Sequence, residues 1–161
     1  MVGADMEITN DDFLRAIFGE MYIYAHVTSF THDPGAIPPG EGGRCWSGGY
    51  YKDTPLIPDS NQFFTVSLFA PDDNGRSRRR KTQFTGTYVI GLDDVTEKIP
   101  LDQVARLPAP SIVLKSSLHS EQWLYILDQS ETDRNRVDNL HDGLIERGLA
   151  PNSKDPEVKL L

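Results

Sequence analysis

Cysteine is nearly absent. Cys45 stands alone among 161 residues, so no disulfide can form within the chain. A reducing, cytoplasmic setting is the simpler expectation. Long apolar runs are missing too. None approaches the roughly 20 residues a membrane span needs, and the start, MVGADMEITNDDF, lacks both the basic and the apolar part of a signal peptide. The chain is therefore read as having no membrane partner. Positive charge is in short supply: 16 Lys and Arg against 24 Asp and Glu leave a net charge of −8. Any contact with a polyanion has to come from a local basic patch. No Cys/His spacing suits zinc. There is no phosphate-cradling Walker A loop, no GxSxG and no internal repeat.

What remains is enough for one folded domain over 1–161. Apolar residues make up 38% and aromatic ones 9%. Asp11–Met21 reads as a short helix capped by Thr9 or Asn10, with Phe13, Ile17 and Met21 on one face. Tyr22–Phe30 alternates like a strand. Thr31–Ser60 is dense in glycine and proline, with 11 of the chain's 24, and reads as a long ordered loop, with a brief strand near Cys45-Trp46. Strands are expected over Gln62–Phe69, Thr85–Leu92, Ser111–Lys115 and Gln122–Leu127. A turn falls at Pro71–Gly75, a helical turn at Leu101–Arg106, and a loop at Ser116–Glu121. Thr132–Arg147 is the best helix, capped by Ser130 or Thr132, stopped by Gly148 and striped by Val137, Leu140 and Leu144. The closing PNSKDPEVKLL reads as a cut through a longer chain. The fold class is α+β: a mixed or antiparallel sheet flanked by helices.

Three constellations carry chemistry. Arg76, Arg78, Arg79, Arg80 and Lys81 put five cations within six residues of an acidic chain. Guanidinium forks suit phosphate oxygens; the plainer reading is a solvated turn balanced by Asp72 and Asp73. Asp93 and Asp94 end an apolar strand, where carboxylates suit Mg²⁺ or Mn²⁺. The plainer reading is a strand-terminating turn, and on local pattern it is the better one. Ser116, Ser117 and His119 lie on a polar loop, where a lone histidine is usually just solvated.

In order, the strings DDFLRAIFG, AHVTSF, NQFFTVSLF, GRSRRRKTQF, YVIGLDDVTEKI and VLKSSLHSEQWLYIL, then a helix and GLAPNSKDPEVKLL, resemble a known arrangement. It is that of RepB-like primase domains of phage and plasmid replication proteins, within the archaeo-eukaryotic primase–polymerase superfamily. The resemblance spans nearly the whole chain and rests on order and spacing. It implies an RRM-like core and template-directed nucleotidyl transfer with Mg or Mn. Asp93 and Asp94 match the catalytic metal-binding motif, and Ser117 matches the serine of the nucleotide-contacting motif. That motif's histidine aligns with Gln122, before Trp123, while His119 falls three residues early. Gly91 stands where the usual Asp-hydrophobic-Asp pattern has its first acid. The third motif would lie past Leu161. The implied partners are single-stranded DNA, nucleotides and a helicase C-terminal to this chain, with the Arg76–Lys81 run holding template or triphosphate. A non-catalytic nucleic-acid-binding module of an initiator or helicase is the alternative. A protein-binding accessory factor and an origin-nicking enzyme rank lower; the latter needs two histidines flanking one hydrophobic residue.

Overall fold

The computed structural model describes residues 8–32, 36–37 and 48–150. Helix α1 spans Asn10–Phe18 and starts with a reciprocal cap. The Asp12 N–H donates to the Thr9 hydroxyl (3.2 Å), and the Thr9 N–H donates to the Asp12 carboxylate (3.1 Å). Leu14, Ile17 and Phe18 form its buried face. Gly19, at φ +56°, ends it. A 3-10 turn over Gly19–Tyr24 takes the place of the expected last helical turn and first strand residues. Met21 is accordingly exposed rather than part of the buried face.

Strands β1 (His26–Phe30), β2 (Gly49–Tyr50) and β3 (Asn61–Phe64) form one antiparallel sheet, ordered β2-β1-β3. Strands β4 (Ser67–Phe69), β5 (Phe84–Val95), β6 (Ile112–Lys115) and β7 (Glu121–Glu131) form a second, ordered β4-β5-β7-β6. All of its pairings are antiparallel. The single strand expected over Gln62–Phe69 is thus two strands in two sheets. The chain turns a corner at Thr65 and Val66: the Thr65 N–H donates to the His26 carbonyl at 3.0 Å, and the Val66 carbonyl accepts from Tyr88 of β5 at 3.0 Å. The brief strand near Cys45-Trp46 and the PNSKDPEVKLL tail lie outside the described residues; β2 comes shortly after the former.

One core cluster joins α1 to both sheets through Leu14, Ile17, Phe18, Val27, Phe64, Leu68, Val89 and Leu124. A second lies under α2 (Leu101–Val104), with Leu92, Val95, Ile99, Val104 and Leu149. Each fully buried side chain of this size contributes about 1.5–3 kcal/mol, so truncating Leu92, the largest of them, costs about 2–5 kcal/mol. Helix α3 (Arg134–Glu146) begins two residues later than expected, because β7 runs on to Glu131 and Asp133 supplies the cap. Val137 and His141 are its buried residues, and Leu140 faces outward at 46% exposure. No helix among the described residues is long and apolar enough to cross a membrane.

Candidate active site

Strand β5 does not stop at Leu92 as the sequence suggests; it runs through the acidic pair to Val95. The ladder to β7 explains how. Leu92 pairs with Trp123 and Val95 with Glu121. Two residues, Asp93 and Asp94, therefore stand opposite one, Gln122. This is a β-bulge, a device that re-aims side chains and is common beside active sites. Asp94 completes it in the left-handed region at φ +60°, which aspartate tolerates better than most residues. The bulge also lets Leu92 and Val95, three apart on one strand, share a single core cluster. Strict alternation would have sent them to opposite faces.

Neighbouring side chains on a regular strand point to opposite faces; at the bulge, each of the two carboxylates has its own partners. The Gln122 amide donates to Asp93 Oδ1 at 3.1 Å, and the Asp94 N–H donates to the same oxygen at 3.1 Å. Asp94 Oδ2 accepts from Lys98 Nζ at 2.6 Å. Its carbonyl takes the N–H groups of Lys98 and Ile99 at 2.8 and 3.0 Å. The hydrogen bond to Asp94 holds the Lys98 ammonium above the usual lysine range. Lys98 was not singled out from the sequence. Its signal was present: a cation four residues after the second acid, in a tight turn that brings it back.

The β6–β7 loop is tied to this turn. The Thr96 hydroxyl donates to the His119 carbonyl. Ser117 Oγ accepts from the His119 N–H at 3.3 Å, and the Ser116 and Ser117 N–H groups donate to the Ser120 carbonyl at 3.1 and 3.2 Å. Asp93, Asp94 and Gln122 are thus in direct or ladder contact. Ser117 and His119 sit on the adjoining exposed loop, where the Ser117 hydroxyl braces its own turn.

The basic run is elsewhere. It precedes β5, whereas the acidic pair lies near its end. Nine residues separate Phe84 from Asp93, which at strand rise is about 30 Å. The run is not a floppy turn. One Asp72 carboxylate oxygen accepts from the Asn74 and Arg76 N–H groups, both at 2.9 Å, and the other from Arg78 Nε at 3.3 Å. These bonds, the Arg76 N–H first, hold the Asp72 carboxyl below the usual range. Ser77 is buried at 3% exposure, with Oγ 2.8 Å from Nδ1 of the equally buried His26. Burial first, then the Arg79 charge, pushes His26 down to about 4. A Cβ on Gly48 would meet His26 Nε2 at 2.9 Å and the Val27 carbonyl at 2.2 Å, so glycine lets the chain close over this histidine. Arg76, Arg78, Arg80 and Lys81 are exposed, and Arg79 is half-buried.

Among the described residues no three His, Cys, Asp or Glu side chains gather as a metal cage. Two carboxylates on a bulge are nevertheless a hard-oxygen set of the kind Mg²⁺ takes when substrate phosphates complete its shell. The donors fit a metal shared with a phosphate-bearing substrate, held by Asp93 and Asp94, and do not fit a protein-only site. A cavity of about 260 Å³ lies apart from this set, between α3 and the strands β5 and β7, lined by residues including Val89, Leu127, Val137 and His141.

No protein-family model and no curated protein matches the chain. Among solved structures, it is similar to the AEP domain of the cyanophage S-2L primase-polymerase. The TM-score is 0.53 at 12% identity, covering 86% of this chain and 71% of that one. At so low an identity the likeness concerns the fold and does not reach a RepB-like branch. The chain therefore has the α+β fold of a primase–polymerase AEP domain, as its ordered segments led one to expect.

Proposed function

We propose that this chain is a primase–polymerase module of a phage or plasmid replication protein, of the RepB-like kind. It would perform metal-dependent nucleotidyl transfer on a nucleic-acid template. The observation that carries this reading is the bulge setting Asp93 and Asp94 against Gln122, on a fold shared with a primase-polymerase domain. Asp93 and Asp94 would hold Mg²⁺ or Mn²⁺. The metal, when bound, neutralises phosphate charge and helps activate a 3′-hydroxyl. Gln122 orients Asp93 through its amide, leaving that carboxylate's second oxygen for the metal. Lys98 balances the charge of Asp94. Ser117 and His119, on the adjoining loop, would meet the triphosphate. Single-stranded DNA and nucleotides are the partners.

The test is primer synthesis by the full-length protein with Mn²⁺ or Mg²⁺. Asp93→Asn keeps the shape of the side chain and removes its charge. Activity should collapse while the thermal melt stays put; undiminished synthesis would refute the site.

A second reading has its own observation. Gly91 stands at the first acidic position of the family pattern, and Lys98 already engages Asp94 at 2.6 Å. A module that kept the fold and lost catalysis would bind single strands in a salt-sensitive manner and keep binding after chelation. Chelation that abolishes binding rules this out.

A further inference from the structure

The basic loop and the acidic bulge occupy opposite ends of one long strand, and their charges are opposite. From Asp72 to Lys81, five cations against two carboxylates leave a local charge of +3 on a chain of −8. The loop is built rather than solvated. Asp72 gathers three donors, Ser77 is plugged into His26, and Ala70 pairs with Gln83 at 2.7 Å across the base. Burying a polar Ser–His pair is costly; the bond to Ser77 satisfies His26 Nδ1, while His26 Nε2 is buried with no hydrogen-bond partner. Here the pair fixes the backbone between the exposed Arg76 and Arg78. Such fixing lowers the ordering cost that flexible arginines would meet on binding.

The same end carries aromatic surface. The Tyr50 hydroxyl donates to the carbonyl of Phe69, the last residue of β4, at 2.8 Å. The Tyr24 and Tyr50 rings meet edge to face at 5.6 Å. Lys52 Nζ lies 4.6 Å from the Tyr24 ring centroid. Tyr50 is buried, so Tyr24 is the ring left half-exposed here; cations on a fixed loop near such a ring are what single-strand binders combine. Asp53, Asp72 and Asp73 share this end, so the attraction is to a strand laid along the arginines and not to any polyanion.

We propose that the Arg76–Lys81 loop, pinned through Ser77 and His26, is a backbone anchor for single-stranded nucleic acid, remote from the acidic bulge. The proposal rests on reading the bulge as the nucleotide end. At 3.4 Å per stacked nucleotide, a strand must run on the order of nine nucleotides to touch both ends. The loop then sets a minimum template length and does not touch the triphosphate.

The experiment titrates fluorescent oligothymidylates of graded length into the full chain, and separately titrates Mn²⁺–triphosphate. It compares wild type, R78E/R80E and D93N. Wild-type affinity should step up at least tenfold once the oligonucleotide exceeds about nine nucleotides. The step should vanish in R78E/R80E, with triphosphate binding unchanged. For the long strand, the dependence of log K on log salt should flatten by about 1.4, two phosphates at about 0.7 each. R80E alone leaves the Arg78–Asp72 pair in place, guards against misfolding, and should show half of that change. A missing step in wild type, a step that survives in R78E/R80E, or loss of triphosphate binding in that variant each overturns the anchor. Retained triphosphate binding in D93N defeats the nucleotide site instead, leaving the length step to decide the anchor.

Discussion

The two ends of β5 handle charge in different ways. At the acidic end, Asp93 to Lys98 carries three acids and one base, a local charge of −2. The backbone itself breaks rule there, with a two-against-one bulge and positive φ at Asp94 and Thr96. Strained conformations of this sort cost about 1–3 kcal/mol each and persist where the surroundings enforce them. The enforcers are the ladder to β7, the bonds to the Asp94 carbonyl, and the core residues Leu92 and Val95. At the basic end, only Gly75, at φ +72°, departs from ordinary backbone in the loop, and a glycine does so freely. Order comes instead from side chains: one carboxylate collecting donors, and one buried Ser–His pair. The acidic end is shaped by the main chain and the basic end by polar plugs. The first should tolerate side-chain changes without losing shape; the second should not.

Asp93→Asn is the sharpest test of that contrast. Metal-dependent synthesis should fall by more than about 100-fold, since removing one charge from a phosphate-binding metal site costs several kcal/mol of transition-state stabilisation. The denaturation midpoint should hardly move, because asparagine keeps the Oδ1 that accepts from the Gln122 amide and the Asp94 N–H, and backbone pairing holds the rest of the bulge. If stability falls together with activity, the carboxylate is a structural part of the bulge and the contrast fails.

At the basic end the largest expected effect is on stability through His26. Its pKa is depressed to about 4 in the folded chain, against 6.5 in the unfolded one. Between these values the unfolded chain binds the extra proton. Stability from this group is therefore whole above pH 6.5 and is lost as pH falls toward 4, by about 3 kcal/mol. Urea melts at pH 7.5 and pH 5 read it, and His26→Phe should remove most of the slope. An unchanged slope would mean that other groups dominate acid sensitivity. Ser77→Ala should cost about 1–3 kcal/mol, because it leaves His26 Nδ1 buried without its partner. It should also weaken long-strand binding while sparing triphosphate binding. Equal losses at both ends would mean that the loop and the bulge unfold together.

Most of the fold was legible because periodicity survived wherever one face is buried. The strands expected over Thr85–Leu92, Ser111–Lys115 and Gln122–Leu127 are present, and so are the short first helix and the longer last one. The failures fall where a tertiary contact overrides local pattern. Gln62–Phe69 alternates as one strand, yet Thr65 bonds to His26 and the chain leaves for another sheet. Leu140 fits the apolar stripe of α3, yet His141 takes the buried place. At the site, Asp-Asp after an apolar run was readable as a strand end. That the strand continues, with Gln122 opposite both acids, depends on a pairing register that no local pattern encodes. The match of Gln122 to a nucleotide-contacting position came from family resemblance, and the hydrogen bond to Asp93 gives it a physical role. The plug under the arginines was invisible, since Ser77 and His26 lie 51 residues apart.

Lys98 offers the smallest and finest test. Its ammonium sits on Asp94 Oδ2, and both groups are partly exposed. An exposed ion pair contributes little to stability, so Lys98→Ala should leave the melt unchanged. A metal, however, has to displace that ammonium, and removing the competitor should tighten Mn²⁺ binding by a few fold, read by titration against the electron-spin signal of free Mn²⁺. The direction is what matters. Tighter binding places Asp94 on the metal together with Asp93. Weaker binding would mean that Lys98 organises the bulge, and the main chain alone would then not account for the shape of the acidic end.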